Sequence, residues 1–471
     1  MDMTSLEPAA VWCNFAEICA IPHASGNVKG LSCFLKEKAE KCGFKVRQDK
    51  YFNLRIDRAE TVADLPRIIL QAHLDMVPQA APGKEFDFAA DPVKTVIRDG
   101  MVFADGTTLG ADDGIGIAIA MALMTDKNVK GNISAVFTAD EETGLHGANA
   151  LSAEYLDGDI LINLDNCCAG KICVGCAGGI RLAFDFDTGT AETPAGEAVR
   201  ITLSGLPGGH SGECIHQKRG NALQMLARIV ENTGIAISSF DGGTVDNAIP
   251  AYAEITAVLD GASQKEQMYS AAETMKKELA PEFTLCLKIE PAELPANVWE
   301  RGFQKKFLEI FCSMPNGVVE FAPEYAVPLT SSNLASLKST AGKLHLILSA
   351  RSLDDVKREK HTGDLKKRFS VLAPEVRENS SYPGWKPDKS SVLPSLASEL
   401  WQQMTGKPAE IEVIHAGLEA GLFAGKNPSL DMISIAPDIF NIHTPEESVS
   451  IASTAVFYLF AVELLNKLSS R

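Results

Sequence analysis

The sequence predicts an α/β protein in which helices sandwich a mostly parallel sheet and an α+β domain is inserted into the chain. Three observations point to this class. Apolar strand and helix patterns alternate up to residue 165, stretches of alternating polarity replace them after residue 182, and the strand and helix pattern returns after residue 384. Strands that alternate with helices are typical of a parallel sheet covered on both faces.

In the first part of the chain, apolar runs of strand length flank an apolar segment of helix length. Residues 66–77 (PRIILQAHLDMV), 131–139 and 159–165 have the continuous apolar character of buried strands. Residues 114–125 (GIGIAIAMALMT) have the length and alanine content of a buried helix, and residues 9–20 have the spacing of an amphipathic helix. This order implies neighbouring parallel strands.

The middle of the chain has a different pattern. The segments AVRITLSG, AYAEITAVLD, FTLCLKIE and KLHLILSA alternate in polarity, and residues 222–230 and 268–279 place apolar side chains on one helix face. A boundary rich in proline and serine follows at 380–391. We therefore assign residues 1–182 and 384–471 to one discontinuous domain that carries the chemistry, and residues 183–383 to an inserted domain.

The composition narrows the functional classes. The 471 residues have a formal net charge of -17, which argues against nucleic acid or an anionic membrane as a partner. No apolar run approaches the length of a membrane span, and the N-terminal residues lack the pattern of a signal peptide. Eleven scattered cysteines fit unbridged thiols in a reducing compartment better than a disulfide framework. We therefore expect a cytoplasmic protein.

Acidic and histidine side chains gather where the predicted strands end. In chain order they are His73, Asp75, Asp112, Asp113, Asp140, Glu141, Glu142, Asp165 and His443. Any one of them alone is more typical of a core histidine, a solvated face or a helix cap, and Asp113 fits the helix cap. Several carboxylates at one sheet edge repel one another, and bound cations remove that repulsion. Imidazole with carboxylate suits Zn²⁺, with Mn²⁺ or Co²⁺ as alternatives, and the number of ligands fits two ions.

Ordered motifs run through the whole chain, among them QAHLDMVPQ, TTLGADDGIGIAIAMAL, TADEETGLHGA, LPGGHSGECIH, DNAIP, SARS and NIHTPEESVSI. In these motifs the sequence resembles the dinuclear zinc hydrolases that include aminoacylases, tripeptidases and dipeptidases. Within that family it is similar to dipeptidases that cleave Xaa-His peptides. The resemblance implies a di-metal peptidase domain with an inserted domain that serves as a lid and as the interface of a homodimer.

The resemblance also implies which residues bind the two metal ions. His73 and Asp165 are expected to bind one ion, and Glu142 and His443 are expected to bind the other. Asp112 is expected to bridge the two ions.

Further residues receive roles from the same resemblance. Asp75 is expected to accept a hydrogen bond from the neighbouring imidazole and to fix its tautomer. Glu141 is expected to be the general base. His210 is expected to stabilise the oxyanion and Arg351 to bind the terminal carboxylate of the substrate, with Asn247 in the same pocket. Without the resemblance, a turn residue remains an alternative interpretation of His210, and a surface ion pair remains one of Arg351.

The implied reaction is the hydrolysis of dipeptides of the Xaa-His type, with broad specificity, by a hydroxide shared between the metal ions and a glutamate base. Small peptides are then the expected partners. A deacylase of N-acyl amino acids or a carboxypeptidase on the same fold is the alternative enzyme. A catalytically silent binding protein would lack a ligand or the base, and the motifs contain the full set. A serine hydrolase is disfavoured because the sequence has no GxSxG motif.

The stretch DNCCAGKICVGCAGG differs from the family pattern, in which acidic residues follow the aspartate. Here Asn166, Cys167 and Cys168 follow it, and Cys173 and Cys176 come soon after. A thiolate metal site or a redox site is one interpretation. Adjacent cysteines are poor tetrahedral partners, however, and KICVGC has the alternation of a strand, so buried thiols are the favoured interpretation.

Overall fold

The helices and strands predicted in the first part of the chain are present, and further elements that were not predicted lie between them. The computed structural model describes residues 2–58 and 62–470. Within them the α-helices are α1 (Ala9–Cys19), α2 (Lys29–Lys41), α3 (Ala111–Thr125), α4 (His146–Ala150), α5 (Ala222–Val230), α6 (Ala262–Met275), α7 (Arg301–Cys312), α8 (Asp355–Phe369), α9 (Leu393–Thr405), α10 (Glu419–Lys426) and α11 (Ile451–Leu468).

The strands are β1 (Lys45–Gln48), β2 (Leu54–Asp57), β3 (Arg67–His73), β4 (Thr95–Arg98), β5 (Met101–Ala104), β6 (Asn132–Thr138), β7 (Ile160–Asn163), β8 (Lys171–Cys176), β9 (Gly178–Asp187), β10 (Ala191–Glu192), β11 (Glu197–Ser204), β12 (Ala236–Gly242), β13 (Ala253–Leu259), β14 (Cys286–Pro291), β15 (Asn297–Val298), β16 (Gly317–Ala322), β17 (Val327–Thr340), β18 (Lys343–Ser352), β19 (Glu375–Tyr382), β20 (Glu410–Ile414), β21 (Asp431–Ser434), β22 (Ile439–Phe440) and β23 (Ser448–Ser450).

The chain divides into two compact units. The first comprises Met1–Gly175, Trp385–Val413 and Leu418–Arg471, and the second comprises Cys176–Gly384 with Ile414–Gly417. Residue 183, the predicted start of the inserted domain, lies within β9, which is a strand of the second unit.

The first unit is built on an eight-stranded sheet in the order β1-β2-β6-β3-β7-β21-β8-β20. Its central strands β6, β3, β7 and β21 run parallel, whereas β2 pairs antiparallel with β1 and β6, and β8 with β21. Strand β6 is buried along its whole length and β3 along all but its first residue. Continuous burial is expected for parallel strands that are covered on both faces. The predicted α/β class is confirmed.

The strand that leads into the predicted site is shorter than the apolar pattern suggests. The run 66–77 predicts a strand over its full length, but β3 ends at His73. Three residues later, the Met76 N–H donates to the His23 carbonyl at 3.1 Å, outside the sheet. The Leu74 N–H still donates to the Thr138 carbonyl of β6 at 2.7 Å, and after it the chain leaves the sheet and enters the loops at the carboxyl ends of the parallel strands.

The second unit holds a nine-stranded sheet in the order β14-β11-β13-β12-β17-β18-β9-β19, with β16 paired to β17. Its described pairings are antiparallel. Apolar side chains of this sheet form one core with those of α5, α6, α7 and α8. The ring of Phe307 lies in the middle of an aromatic group, 5.1 Å from Phe311 and 5.6 Å from Phe186 between ring centroids. Helix α6 ends at Met275, so the helix predicted over 268–279 ends earlier than expected.

The C-terminal helix α11 is mostly apolar. Its 18 residues have a mean hydropathy of 1.4, so by length and composition alone the helix could cross a membrane. The prediction that no apolar segment reaches this length was therefore wrong. Half of the segment is buried within the protein, and Phe460 packs edge-on against Trp401 of α9, with 5.2 Å between the ring centroids. A helix that is buried in a protein core has the same apolar composition as a membrane-spanning helix, so this packing accounts for the composition of α11.

Candidate active site

The carboxyl ends of the parallel strands bring distant residues of the first unit together. Strand β3 ends in His73, the ADEE segment follows β6, and Asp165 follows β7. Because these strands are parallel, their carboxyl ends lie at the same edge of the sheet. Six predicted site residues meet there: His73, Asp112, Glu141, Glu142, Asp165 and His443.

Asp112 lies between two imidazoles. Its Oδ1 is 3.0 Å from His73 Nε2, and its Oδ2 is 3.2 Å from His443 Nε2. The same nitrogen of His443 lies 2.8 Å from Oε1 of Glu142. Asp112 thus presents one oxygen to each of two histidines that are far apart in the sequence.

Contacts with carboxylates govern the charge of both imidazoles. Burial lowers the pKa of His443, but hydrogen bonds with Asp112 and Glu142 outweigh burial and raise the pKa to about 11. Burial likewise lowers the pKa of His73, but the hydrogen bond with Asp112 and the negative charge of the nearby carboxylates leave it well above its ordinary value. The pKa of Asp112 is raised by burial but brought below its ordinary value by the bonds to both histidines. Positive charge at this edge therefore stabilises the buried carboxylates.

Two sets of ligand atoms at this edge have the spacing of a metal site. One set comes from His73, Asp112 and Glu142, the other from His73, Asp113 and Asp165, and within each set the atoms lie within 4.8 Å of one another. Burial raises the pKa of Asp165 to about 7, and Asp112 and Glu142 add to the rise. Burial and these neighbouring carboxylates disfavour the charged form of Asp165, and a bound cation would remove that cost. These imidazole and carboxylate donors therefore fit the divalent ions that the sequence predicts.

Asp75 holds the loop that carries both glutamates. Its carboxylate accepts hydrogen bonds from the backbone N–H groups of Glu141 at 2.8 Å and Glu142 at 3.3 Å, and from the Ser25 hydroxyl at 2.8 Å. The imidazole of His73 was expected to donate to the Asp75 carboxylate, but it contacts the backbone carbonyl of Asp75 instead. His73 Nδ1 lies 2.9 Å from the backbone carbonyl of Asp75 and 3.6 Å from its nearest carboxylate oxygen. The turn of the chain after β3 therefore supplies the acceptor for the imidazole.

Asp113 does not cap helix α3, contrary to the expectation. The cap position is Gly110, and no side chain caps the helix there. The backbone is non-helical at Asp112 and Asp113, which turns the Asp113 carboxylate inward. One of its oxygens accepts from the His73 N–H at 3.2 Å, and the other has no hydrogen-bond partner among the described residues. Burial and Asp165 raise its pKa well above the ordinary value.

Two buried glutamates at this edge were not assigned a role from the sequence. Glu419, at the start of α10, is fully buried and accepts hydrogen bonds from Gln71 Nε2 and Thr138 Oγ1, each at 2.6 Å. Burial raises its pKa to about 8. Glu447, four residues after His443, accepts from backbone N–H groups at the start of α3. An acidic residue inside an apolar segment (GLEAGLF) was the only sequence signal for Glu419, and Glu447 had none beyond its motif.

The remaining predicted residues, His210, Asn247 and Arg351, belong to the second unit. The loops that carry His210 and Asn247 are paired, since the N–H of Ser211 donates to the Asn247 carbonyl at 2.7 Å. Arg351 on β18 donates from Nη1 to the Tyr382 hydroxyl at 2.8 Å. Its buried Nε has no hydrogen-bond partner in the described part of the chain, so this guanidinium keeps an unused donor.

The cysteines after Asp165 fall into two pairs. Cys173 and Cys176 are buried on β8, whereas Cys167 and Cys168 are half-buried in the loop before it, with their Sγ atoms 3.9 Å apart. The candidate metal groups among the described residues contain histidines and carboxylates but no cysteine. The buried-thiol interpretation therefore suits Cys173 and Cys176, and the other pair is more accessible than that interpretation implies.

Comparison with known proteins identifies the family. The model of peptidase family M20/M25/M40 matches residues 69–467. The chain belongs to this family. It is 35% identical to the cytosol non-specific dipeptidase of Escherichia coli K12 over the full length of both chains.

Solved structures agree with this assignment. The crystal structure of the aminoacylhistidine dipeptidase of Vibrio alginolyticus is 35% identical and has a TM-score of 0.86, covering 99% of this chain and 98% of that one. A tripeptidase from Staphylococcus aureus has a TM-score of 0.65 at 18% identity, over 99% of this chain and 100% of that one, which shows the shared fold. The predictions of family, fold and peptide hydrolase class are confirmed.

Proposed function

We propose that the protein is a metal-dependent dipeptidase that hydrolyses peptides of the Xaa-His type with broad specificity. The observation that carries the proposal is the position of Asp112, whose two oxygens lie 3.0 Å from His73 Nε2 and 3.2 Å from His443 Nε2. A carboxylate held between two imidazoles is suited to bridging two divalent ions. The names of the dipeptidases from E. coli and V. alginolyticus support the substrate class.

The proposed metal ligands are those that the family resemblance implies, and the contacts of Asp112 with His73 and His443 support them. His73 and Asp165 would hold one ion, Glu142 and His443 would hold the other, and Asp112 would be shared by both. Zinc is the proposed metal, with manganese or cobalt as alternatives, because imidazole and carboxylate donors suit these ions. Bound ions of this kind lower the pKa of water toward neutrality and polarise the scissile carbonyl.

Glu141 is the proposed general base. Its backbone N–H is fixed at 2.8 Å from the Asp75 carboxylate. Burial raises the pKa of the Glu141 carboxyl well above its ordinary value, and Glu142 and Asp165 add to the rise. A carboxylate with a raised pKa accepts a proton more readily near neutral pH. Glu141 accordingly accepts a proton from the attacking water and later donates one to the leaving amine.

The second unit supplies the proposed groups that bind substrate. Arg351 binds the terminal carboxylate of the dipeptide, and its buried Nε, which lacks a partner among the described residues, supports this role. His210 stabilises the oxyanion, and Asn247 contributes to the same pocket. The pairing of the two loops that carry these side chains supports a shared function.

The proposal is tested by removing the metal and the base separately. Protein treated with a chelator should lose cleavage of Xaa-His dipeptides and regain it when Zn²⁺, Mn²⁺ or Co²⁺ is restored. Glu141→Ala should retain the metal and lose turnover by at least about 100-fold, since a general base contributes roughly 10²–10⁴-fold. Glu154→Ala, which alters an exposed glutamate, is the matched control. Full turnover by metal-loaded Glu141→Ala would refute the assigned base.

A substrate panel separates this function from the alternative deacylase or carboxypeptidase. Xaa-His and Xaa-Gly dipeptides should be cleaved, whereas N-acetyl amino acids and peptides with a blocked amino terminus should not. Preferential cleavage of the blocked substrates would favour the alternative.

A cytoplasmic location and a homodimer formed through the inserted domain stay predictions. The E. coli relative is named as a cytosolic enzyme, which supports the location. Light scattering on the purified protein measures the oligomeric state, and a monomeric mass at assay concentration would contradict the dimer.

A further inference from the structure

Glu447 binds the backbone at the start of helix α3 with both carboxylate oxygens. Its Oε2 accepts from the N–H groups of Leu109 at 2.8 Å and Gly110 at 3.0 Å. Its Oε1 accepts from those of Ala111 at 2.8 Å and Asp112 at 3.1 Å. The residue is 2% exposed. One carboxylate thus satisfies four consecutive backbone donors.

These bonds connect two segments that lie far apart in the sequence. Asp112, the proposed bridging ligand, is one of the four donors, and His443, a proposed ligand, lies four residues before Glu447. N–H groups at the start of a helix have no partner within the helix, and hydrogen bonds to a charged acceptor are about twice as strong as neutral ones. The position of Asp112 relative to His443 therefore depends on this carboxylate.

We propose that Glu447 is a positioning residue that sets the affinity of the metal centre by holding Asp112 in register with His443. The proposal rests on the proposed metal ligands. A residue that only stabilised the fold would change the melting temperature without changing metal affinity in the folded protein.

The test compares Glu447→Gln with Glu446→Gln. Glutamine has the shape of glutamate, but its amide nitrogen would face two backbone N–H groups and cannot accept from them. Glu446 is the adjacent control, because it is exposed and contacts Arg98 at 3.3 Å on the surface. Metal affinity is measured by competition of the metal-depleted proteins with a chromophoric chelator for Zn²⁺.

We expect Glu447→Gln to bind Zn²⁺ about 10–100-fold more weakly, the usual effect of losing a partner that orients a metal ligand. Excess Zn²⁺ should restore most of kcat, and Glu446→Gln should match the wild type. Wild-type affinity in folded Glu447→Gln overturns the proposal. If that variant does not fold, Glu447→Asp, which keeps the charge on a shorter side chain, is measured under the same criterion. Metal affinity is measured without substrate, so this result does not depend on which peptides are cleaved. Failure of the dipeptidase proposal would appear only in the cleavage assays.

A different observation concerns Cys167 and Cys168. Their Sγ atoms lie 3.9 Å apart, and both residues are half-buried, so small oxidants can reach them. The loop is fixed on either side of Cys168. The Ile439 N–H donates to the Cys167 carbonyl at 3.0 Å, and the Ala169 N–H donates to Asp438 Oδ1 at 2.8 Å.

In this pair, Cys168 has the features of a thiol that reacts with peroxide, and Cys167 is placed to be the resolving thiol that then reacts with it. The hydrogen bond from Cys167 lowers the pKa of the Cys168 thiol to about 7, with a contribution from Lys171. Oxidation-sensitive cysteines are typically accessible, of low pKa and close to a second cysteine.

We infer that Cys167 and Cys168 form an oxidation site at which hydrogen peroxide generates a disulfide between adjacent residues. The Cys168 thiolate attacks one peroxide oxygen, which gives a sulfenic acid and, after protonation of the leaving hydroxide, water. The Cys167 thiol then attacks the sulfenic sulfur and releases a second water. Two thiols and one peroxide thus yield one disulfide and two waters.

The disulfide would act on the neighbouring metal ligand. Adjacent Cα atoms lie about 3.8 Å apart, below the roughly 4.4 Å at which ordinary disulfides begin, so the backbone must shift to form the bond. Asp165 lies two residues before Cys167. We therefore expect oxidation to lower Zn²⁺ affinity and peptidase activity, and reduction to restore both.

Mass spectrometry tests the site directly. Wild-type protein treated with limited hydrogen peroxide should lose two hydrogens in a peptide that contains both cysteines, and dithiothreitol should reverse the loss. Cys167→Ser should instead accumulate a sulfenic acid at Cys168 that dimedone traps. Cys286→Ser, which alters an exposed cysteine of the second unit, is the control and should behave like the wild type. Absence of the bond in folded wild type, or its formation between other cysteines, overturns the inference.

Discussion

Replacing Asp75 with asparagine tests whether this carboxylate positions the loop that carries Glu141 and Glu142. The side chain accepts at 2.8 Å from Glu141 N–H through Oδ1, and at 2.8 Å from the Ser25 hydroxyl and 3.3 Å from Glu142 N–H through Oδ2. Asparagine keeps only one acceptor oxygen. The amide nitrogen is best tolerated at the Oδ2 position, because the Ser25 hydroxyl can rotate to accept from it.

The expected fall in kcat/KM follows from the interactions that Asp75→Asn removes. The Glu142 N–H then faces a donor, and the negative charge 3.6 Å from His73 Nδ1 disappears. A hydrogen bond to a charged group contributes about 1.5–3 kcal/mol. At about 1.4 kcal/mol per tenfold change, kcat/KM should fall roughly 10–100-fold. Ser25→Ala removes only the hydroxyl bond and keeps both the charge and the bonds to Glu141 and Glu142, so its loss should be clearly smaller than that of Asp75→Asn.

The assay is kcat/KM for a Xaa-His dipeptide with Zn²⁺ in excess, together with circular dichroism to verify folding. The same variants are compared for bound metal. The reasoning is refuted if folded Asp75→Asn retains kcat/KM within twofold of the wild type, or if Ser25→Ala loses as much activity as Asp75→Asn.

Four further variants test other parts of the structure. Gly147→Ala should destabilise the protein by at least about 3 kcal/mol, because the added Cβ would lie 2.2 Å from the Ala139 carbonyl oxygen. Gly363→Ala, in α8 with open space around it, should stabilise by about 0.5–1 kcal/mol in the same urea titration. Phe307→Ala should cost about 3–5 kcal/mol in urea, since it removes the middle ring of the aromatic group. Burial raises the pKa of Glu419 to about 8, so the folded state keeps a proton that the unfolded state releases above its ordinary pKa of 4.5, and stability falls by roughly 1.4 kcal/mol per pH unit across that window. Metal-depleted Glu419→Gln should show a shallower fall in thermal stability between these pH values, and an unchanged slope would contradict the assignment.

Much of the fold was predictable because the local pattern and the final environment agree. The apolar runs around β6 and β7 and the alanine-rich segment of α3 are buried on all sides, so their composition reports their position. The end of β3 was not predictable. The apolar pattern continues to Val77, but β3 ends at His73, and Met76 bonds to His23 outside the sheet, a contact that local sequence does not encode.

Some residues of the candidate site were predictable from the sequence and others were not. Histidines and carboxylates at strand ends were predictable, because a polar side chain at the end of a buried apolar run is costly unless it has a partner. Glu447 has no such signal, because its burial depends on backbone donors of residues 109–112, more than three hundred positions away. Asp113 was misassigned for a related reason: a helix cap is the ordinary role of an aspartate at that position, and the non-helical backbone there is visible only in the structure.

The order of strands in the central sheet has a consequence for synthesis of the protein. Strand β21 (Asp431–Ser434) lies between β7 and β8, so the sheet stays open until the ribosome has made nearly the whole chain. His443 emerges later still. A nascent or C-terminally truncated chain therefore has a gap in the middle of its sheet and lacks one of the two imidazoles beside Asp112, so the proposed metal site cannot be complete before translation is almost finished.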